Sequence, residues 1–261
     1  MPFTRRTVTL PSGPVTYWEA GEGRPLLYLH AAGGHQVTAP LEELAQTHRV
    51  VAPIFPGFDG TPFHDGVDSM EKLADLAAAF QEAVIGARSD VASQSFGGLV
   101  SLWFAVKHPD RVDHLVLECP AGFRLDGSGP PAVSPEEMQR LLYAHPEKIP
   151  PSDKDRAAAE AGRAAPRHYN RGGLPGDLHA RLGEIAARTL ILHGTLDRLA
   201  TAEGMRFLKE RMPKAHLHFV YDSAHVIQVD QPERYLRLVG KFLERGDSYI
   251  VNFGAEEAAA S

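Results

Sequence analysis

Apolar residues along this chain fall into short unbroken runs separated by stretches of helical spacing. Thr7-Val8-Thr9-Leu10 and Val15-Thr16-Tyr17-Trp18 flank the turn Pro11-Ser12-Gly13-Pro14 and predict a β-hairpin. Pro25 to Leu29 predicts a buried strand running into the small-residue loop His30-Ala31-Ala32-Gly33-Gly34. Leu41 to Ala45 predicts a short helix. Arg49 to Pro53 predicts the next strand, closed by the turn-rich segment Phe55-Pro56-Gly57-Phe58-Asp59-Gly60-Thr61-Pro62. Asp68-Ser69-Met70-Glu71 reads as a helix start, after which Leu73, Leu76, Ala77, Phe80 and Val84 recur on one face. Asp90 to Ala92 predicts a strand. Leu99 to Val106 predicts a helix that stops near Lys107, because the residue before Pro109 is disfavoured in the α region. Val112 to Leu117, Thr189 to Leu192 and Leu217 to Val220 predict three more strands. Helices are expected from about Ala202 to Arg211 and from Pro232 to about Leu243.

Strands alternating with helices imply a mainly parallel sheet with helices on both faces. Residues 122–187 break that rhythm, being rich in alanine, proline and charge, with helix-like pieces near 134–144, 152–164 and 177–186. The expected organisation is therefore a core of residues 1–121 and 188–246, a helical cap of residues 122–187 inserted over one end of the sheet, and a C-terminal tail of residues 247–261. No internal repeat interrupts this plan.

Composition narrows the partners. The 261 residues carry a formal net charge of −6 with no basic run, which argues against nucleic acid. No apolar run approaches the roughly 20 residues of a membrane span. The N-terminal Met1-Pro2-Phe3-Thr4-Arg5-Arg6-Thr7 lacks the apolar core of a signal peptide, so a cytoplasmic protein is expected. The single cysteine, Cys119, cannot form an internal disulfide, and nothing around it suggests a metal. Gly33-Gly34 lacks the following lysine or spaced glycines of a phosphate cradle. No cofactor and no metal are expected. The expected partner is a small-molecule substrate; the sequence gives no oligomeric state, with a monomer or a homodimer the two expectations.

The candidate chemistry lies in Val91-Ala92-Ser93-Gln94-Ser95-Phe96-Gly97-Gly98, where an apolar strand meets a helix at a serine flanked by small residues. A sharp strand-to-helix turn would expose the Ser95 hydroxyl as a nucleophile. Ser93 competes for that role, but its own flanking position is Val91, which is bulky for the turn. A serine needs a base, and His225, in the loop after the Leu217 to Val220 strand, can swing over the carboxyl edge of a parallel sheet. His48, His64, His108, His145 and His168 lie in polar or turn-like surroundings and are expected to be solvated. Asp197, in the loop after Thr189 to Leu192, is the expected orienting acid, with Glu118 as the rival. Phe96 and Ala32 are the expected backbone donors of an oxyanion hole, with Ala31 the near alternative, and His30 is expected to anchor the loop.

With these residues in place the chain resembles the α/β-hydrolase superfamily. The resemblance rests on the His30-Ala-Ala-Gly-Gly loop, the Phe55-Pro-Gly-Phe turn, the Ser93-Gln-Ser-Phe-Gly-Gly elbow, His193-Gly-Thr-Leu-Asp197, and His225 followed by Pro232. Two positions depart from the pattern: Ser93 stands where glycine is usual, and Ala31 where His-Gly is usual. The resemblance implies an eight-stranded, mostly parallel sheet with a helical cap at about 122–187. A serine at the elbow separates the chain from the dehalogenases and epoxide hydrolases of the superfamily, which use aspartate there. It implies a serine hydrolase acting through an acyl-enzyme on a small carboxylic ester. A hydrolase of carbon–carbon bonds in ring-cleavage products is the alternative, with Arg124, Arg163, Arg167 and Arg171 available to bind a substrate carboxylate. A non-catalytic ligand-binding member of the fold is the third reading. Phe58, Phe63, Phe123, Leu141, Leu142, Tyr143 and Val226 are candidate pocket walls, and Trp103 is expected in the core.

Overall fold

A computed structural model describes residues 2–129, 131, 133–151, 162, 165–170, 176–246 and 248. Among them eight strands form one sheet in the order β1-β2-β4-β3-β5-β6-β7-β8. The strands are β1 (Thr4–Leu10), β2 (Gly13–Ala20), β3 (Arg24–Leu29), β4 (His48–Pro53), β5 (Ser89–Gln94), β6 (Val112–Glu118), β7 (Arg188–Gly194) and β8 (Ala215–Val220). β2 runs antiparallel to β1 and β4, and every other pairing is parallel. The expected eight-stranded, mostly parallel sheet flanked by helices is therefore the fold.

The helices are α1 (Ala39–Leu44), α2 (Met70–Val84), α3 (Phe96–Lys107), α4 (Pro135–Leu142), α5 (Ala165–Tyr169), α6 (Gly176–Arg181), α7 (Ala202–Arg211), α8 (Ile227–Asp230) and α9 (Pro232–Arg245). α1 packs against α9 and α2 against α3, so the central strands are covered. That double cover explains their unbroken apolar runs: Leu26, Leu27, Val50, Val51, Val91, Leu115, Val116, Leu190 and Ile191 are all buried. The edge strand β1 is mostly exposed. Trp103 joins the core as expected.

The strands run past their apolar cores at the carboxyl edge. Gln94 pairs with Glu118, Glu118 with Leu192, and His193 with Phe219. The ladder is made of backbone groups and continues through polar residues, so Gln94, Glu118 and His193 are buried polar side chains on that edge. Two short helices escaped the periodicity, α5 and α8. The latter begins two residues after His225 and is four residues long, too short to show a helical repeat.

Between β6 and β7 the described residues contain helix and no strand. The expected helix near 134–144 is α4, started by a capping box in which Ser134 Oγ accepts from Glu137 N–H and Glu137 Oε2 accepts from Ser134 N–H. The piece expected near 177–186 is α6 followed by a 3₁₀ turn over Leu182–Glu184. The piece expected at 152–164 lies outside the described residues except for Gly162, as does the tail except for Ser248. No helix among the described residues is long and apolar enough to cross a membrane.

Candidate active site

Ser95 sits between the end of β5 and the start of α3 with φ 51° and ψ −109°. A non-glycine residue in that region is strained, and the surrounding backbone must hold it there. Ser95 N–H donates to the Glu118 carbonyl (2.9 Å), and Ala121 N–H donates to the Ser95 carbonyl (2.9 Å). The small residue two positions on is required by contact: a Cβ on Gly97 would overlap the Leu29 carbonyl oxygen of β3. The side chain of Ser93 is committed elsewhere, donating to the Val116 carbonyl at 3.2 Å. Of the two serines, only Ser95 reaches the histidine.

His225 Nε2 lies 2.8 Å from Ser95 Oγ, and its Nδ1 lies 2.8 Å from Asp197 Oδ2. In this order Nδ1–H donates to the carboxylate, and Nε2 is left to accept the serine proton. Gly194 permits the approach, since a Cβ there would overlap the Ala224 carbonyl of the loop carrying His225. Asp197 stands in a tight turn closed by its own N–H on the Gly194 carbonyl (3.0 Å). Its other oxygen accepts from Leu199 N–H (2.8 Å) and Ala200 N–H (3.1 Å). Burial opposes its charge, but His225 and these donors outweigh burial and hold the carboxyl below its ordinary value.

Cys119, His193 and Asp197 each bring one potential ligand atom within 4.8 Å of the others. The three do not suit a metal. Burial, then Asp197 and Glu118, push the Cys119 thiol well above its ordinary value, so it stays protonated and donates to Asp197. Asp197 is itself engaged by His225. Burial pushes His193 down, leaving a neutral ring whose Nδ1 is 3.9 Å from Asp197 Oδ2.

The loop after β3 makes a turn in which Gly34 N–H donates to the Ala31 carbonyl (3.0 Å), with Ala32 exposed. His30 anchors it as expected: Phe55 N–H donates to His30 Nε2 (3.0 Å), so Nδ1 carries the proton and donates to the Ala31 carbonyl (2.7 Å). Phe96 is the first residue of α3, so its N–H has no acceptor within the helix. The Phe96 ring packs among Phe58 (5.4 Å between centroids), Phe55 (6.2 Å) and Tyr169 of α5 (6.3 Å).

Other expectations are corrected. Glu118 does not reach the His225 ring; its carboxylate accepts from Gln228 N–H (3.1 Å) and from Gln228 Nε2 (2.6 Å). His48 and His64 are buried rather than solvated. His48 opens β4 beside Arg24 of β3 and bonds Thr47 Oγ1, and the turn carrying His64 folds back on the hairpin so that its ring bonds Ser12 and the Pro14 carbonyl. His145 pairs with Asp222 (2.9 Å), and His108 with Asp75 (2.9 Å). Phe123 is core, stacked on His179 at 5.1 Å. The Arg124 guanidinium donates to the Arg198 (3.0 Å) and Leu199 (3.3 Å) carbonyls beside Asp197, and Arg167 is exposed. Arg163 and Arg171 lie outside the described residues.

Two buried residues with site contacts were not foreseen. Gln228 and Asp230 follow His225 on α8 and read in sequence as an ordinary polar helix start. Asp230 accepts from Ala224 N–H (2.7 Å), Ala144 N–H (3.0 Å) and His145 N–H (2.9 Å), joining the His225 loop to the segment after α4.

Comparison with known proteins agrees with this architecture. The model of the alpha/beta hydrolase family matches residues 26–238, and the chain belongs to that family. The chain is similar to 2-hydroxymuconate semialdehyde hydrolase of Pseudomonas putida, 29% identical over 88% of this chain and 90% of the relative. It is also similar to a poly(3-hydroxyalkanoate) depolymerase of Ectopseudomonas oleovorans, 28% identical over 94% of each. Among solved structures it resembles the meta-cleavage product hydrolase CumD of Pseudomonas fluorescens IP01, with TM-score 0.70 and 20% identity over 92% of this chain and 97% of that one.

Proposed function

We propose that this protein is a serine hydrolase that cleaves small carboxylic esters through an acyl-enzyme. The observation that carries the reading is the unbroken line from Ser95 Oγ to His225 Nε2 and from His225 Nδ1 to Asp197, both at 2.8 Å, with the serine on a strained turn. In this reading His225 takes the Ser95 proton as Oγ attacks the acyl carbonyl. Asp197 fixes the tautomer and stabilises the imidazolium. The N–H groups of Phe96 and Ala32 receive the oxyanion. His225 then protonates the leaving alcohol, and a water deprotonated by the same histidine releases the acid. Residues 122–187 act as the cap that selects the acyl group.

The ester reading comes first because Arg124, one of the arginines nominated for a substrate carboxylate, is spent on carbonyls of the Asp197 loop. Carbon–carbon bond hydrolysis is the second reading, favoured by the likeness to 2-hydroxymuconate semialdehyde hydrolase. It would use the same three residues on a vinylogous 1,5-diketone. The test is turnover of p-nitrophenyl acetate and butyrate beside a 2-hydroxy-6-oxo-dienoate. Wild type is expected to turn over the esters, and Ser95→Ala to lose that activity while retaining its circular dichroism spectrum. Turnover of the dienoate alone would favour the second reading. Ester turnover surviving in Ser95→Ala would overturn both.

A further inference from the structure

The Glu118 carboxylate is fully buried at the end of β6, next to the elbow yet outside the line of three residues. Its oxygens serve the first turn of α8, taking a backbone hydrogen bond from Ile227 and two bonds from Gln228. Gln228 N–H donates to Oε1 at 3.1 Å, and Gln228 Nε2 donates to Oε2 at 2.6 Å. The same amide donates to the Tyr28 hydroxyl (2.9 Å), and its oxygen accepts from Thr38 Oγ1 (2.7 Å). Tyr28 lies on β3 and Thr38 caps α1, and all four residues are buried. Gln228 belongs to α8, the single helical turn that begins two residues after His225. Helices this short have no stability of their own and take their position from tertiary contacts. The segment's other ties are Asp230, which accepts from Ala144 and His145 N–H, Val226 N–H on the Leu142 carbonyl (3.0 Å), and Gln94 Nε2 on the His225 carbonyl (3.5 Å).

We propose that Glu118 is a positioning residue for His225: by gripping both the main chain and the side-chain amide of Gln228, it fixes α8 and hence the imidazole relative to Ser95. This rests on the reading of His225 as the base. The backbone of Glu118 already holds the nucleophile, because its carbonyl accepts from Ser95 N–H. One residue therefore sets both ends of the proton-transfer distance, its main chain on the serine and its side chain on the histidine segment. Hydrogen bonds between fully buried groups tolerate little loss, because an orphaned buried donor retains its full desolvation cost.

The experiment compares Glu118→Leu, Glu118→Gln, Gln228→Leu and the double Leu variant by ester turnover and by the rate of fluorophosphonate labelling of Ser95. Glu118→Leu is expected to lower kcat and the labelling rate tenfold or more with KM within about twofold. Glu118→Gln is expected to restore kcat to within about threefold of wild type. A glutamine can accept from Gln228 N–H and give its own N–H to the Gln228 carbonyl once that amide turns over. The double variant should lose much less than the product of the two single losses, since both singles break the Glu118–Gln228 amide bond. Gln228→Leu carries the same prediction if Glu118→Leu fails to fold. Losses that multiply in the double variant would overturn the proposal, as would Leu variants with wild-type kcat and only a lowered Tm. A Ser95→Ala protein that remained active would instead overturn the reading of the site.

Discussion

Glu118 closes β6, and Asp197 stands just beyond the end of β7, on adjacent strands at the same edge of the sheet. Both side chains are fully buried carboxylates near His225, yet their environments push them in opposite directions. Asp197 sits in a turn that lifts it off its strand to meet the imidazole, with two backbone N–H groups on its other oxygen, and it is held below its ordinary value despite burial. Glu118 is still within its strand and meets a neutral amide. Burial dominates there, with the Gln228 bonds and the His225 charge offsetting it only partly, and its carboxyl is pushed up to about 7. In the proposed reading, proximity to His225 thus does not make an acid the orienting acid. Reach does, and it is supplied by the turn after the strand.

The largest effect expected from this contrast is on turnover. Asp197→Asn keeps the shape but presents a donor where His225 Nδ1–H needs an acceptor, and should cost kcat about 10³–10⁴-fold. Glu118→Gln should cost only about threefold in the same p-nitrophenyl ester assay. Were Asp197→Asn to retain a tenth of wild-type kcat while Glu118→Gln was nearly dead, the two roles would have to be exchanged.

A second prediction concerns stability. Glu118 has a folded-state value of about 7 against 4.5 for the free side chain. The folded protein therefore holds the proton more tightly than the unfolded chain. That contribution is complete below pH ~4.5 and is lost as pH rises to about 7, where the bare charge is buried. The difference amounts to at most roughly 3 kcal/mol. Glu118→Gln removes the titration, so its urea-unfolding free energy should gain on wild type steadily between these limits and level off above them. A constant offset across pH 4–8 would show that Glu118 is not held protonated in that range. Asp197 runs the other way: its lowered value contributes stability that is present at neutral pH and lost in acid.

The sequence placed Asp197 ahead of Glu118 by its loop position, but what Glu118 does instead emerges only in three dimensions, which bears on what a sequence records. Strand runs such as Leu26–Leu29 are legible because burial on both faces demands apolar residues throughout. The Ser95 turn is legible because strain and contact with Leu29 demand small neighbours, Gly97 above all. His225 and Asp197 are readable from their place after late strands. Gln228 and Asp230 are not, because a buried polar residue whose partners lie far away in sequence looks the same as a solvated one. Gln228 is 110 residues from Glu118 and 190 from Thr38. The segment between β6 and β7 resists for a related reason. Its described helices are short, α4 at eight residues and α6 at six, and few of their residues are buried. An apolar period is easier to read over the 15 residues of α2 than over elements this short. His48 and His64 misled in the same sense, since a turn composition says nothing of what folds over the turn.

The smallest expected effect separates two serines on one strand. Ser93 and Ser95 are two residues apart, and in a continuous strand their side chains would share a face. The turn at Ser95 breaks that equivalence: φ becomes 51°, Oγ swings to His225, and Ser93 Oγ is left donating to the Val116 carbonyl of β6. Ser93→Ala removes one neutral buried hydrogen bond and adds no bulk at the crowded position before the turn. It should cost about 1 kcal/mol in urea unfolding. Turnover and fluorophosphonate labelling should stay within twofold of wild type, whereas Ser95→Ala should abolish both. Labelling lost in Ser93→Ala at unchanged stability would mean that the nucleophile had been placed one side chain too far along the strand. Labelling retained at slightly lowered stability would confine the chemistry of the elbow to the single residue that the backbone strains into reach of the histidine.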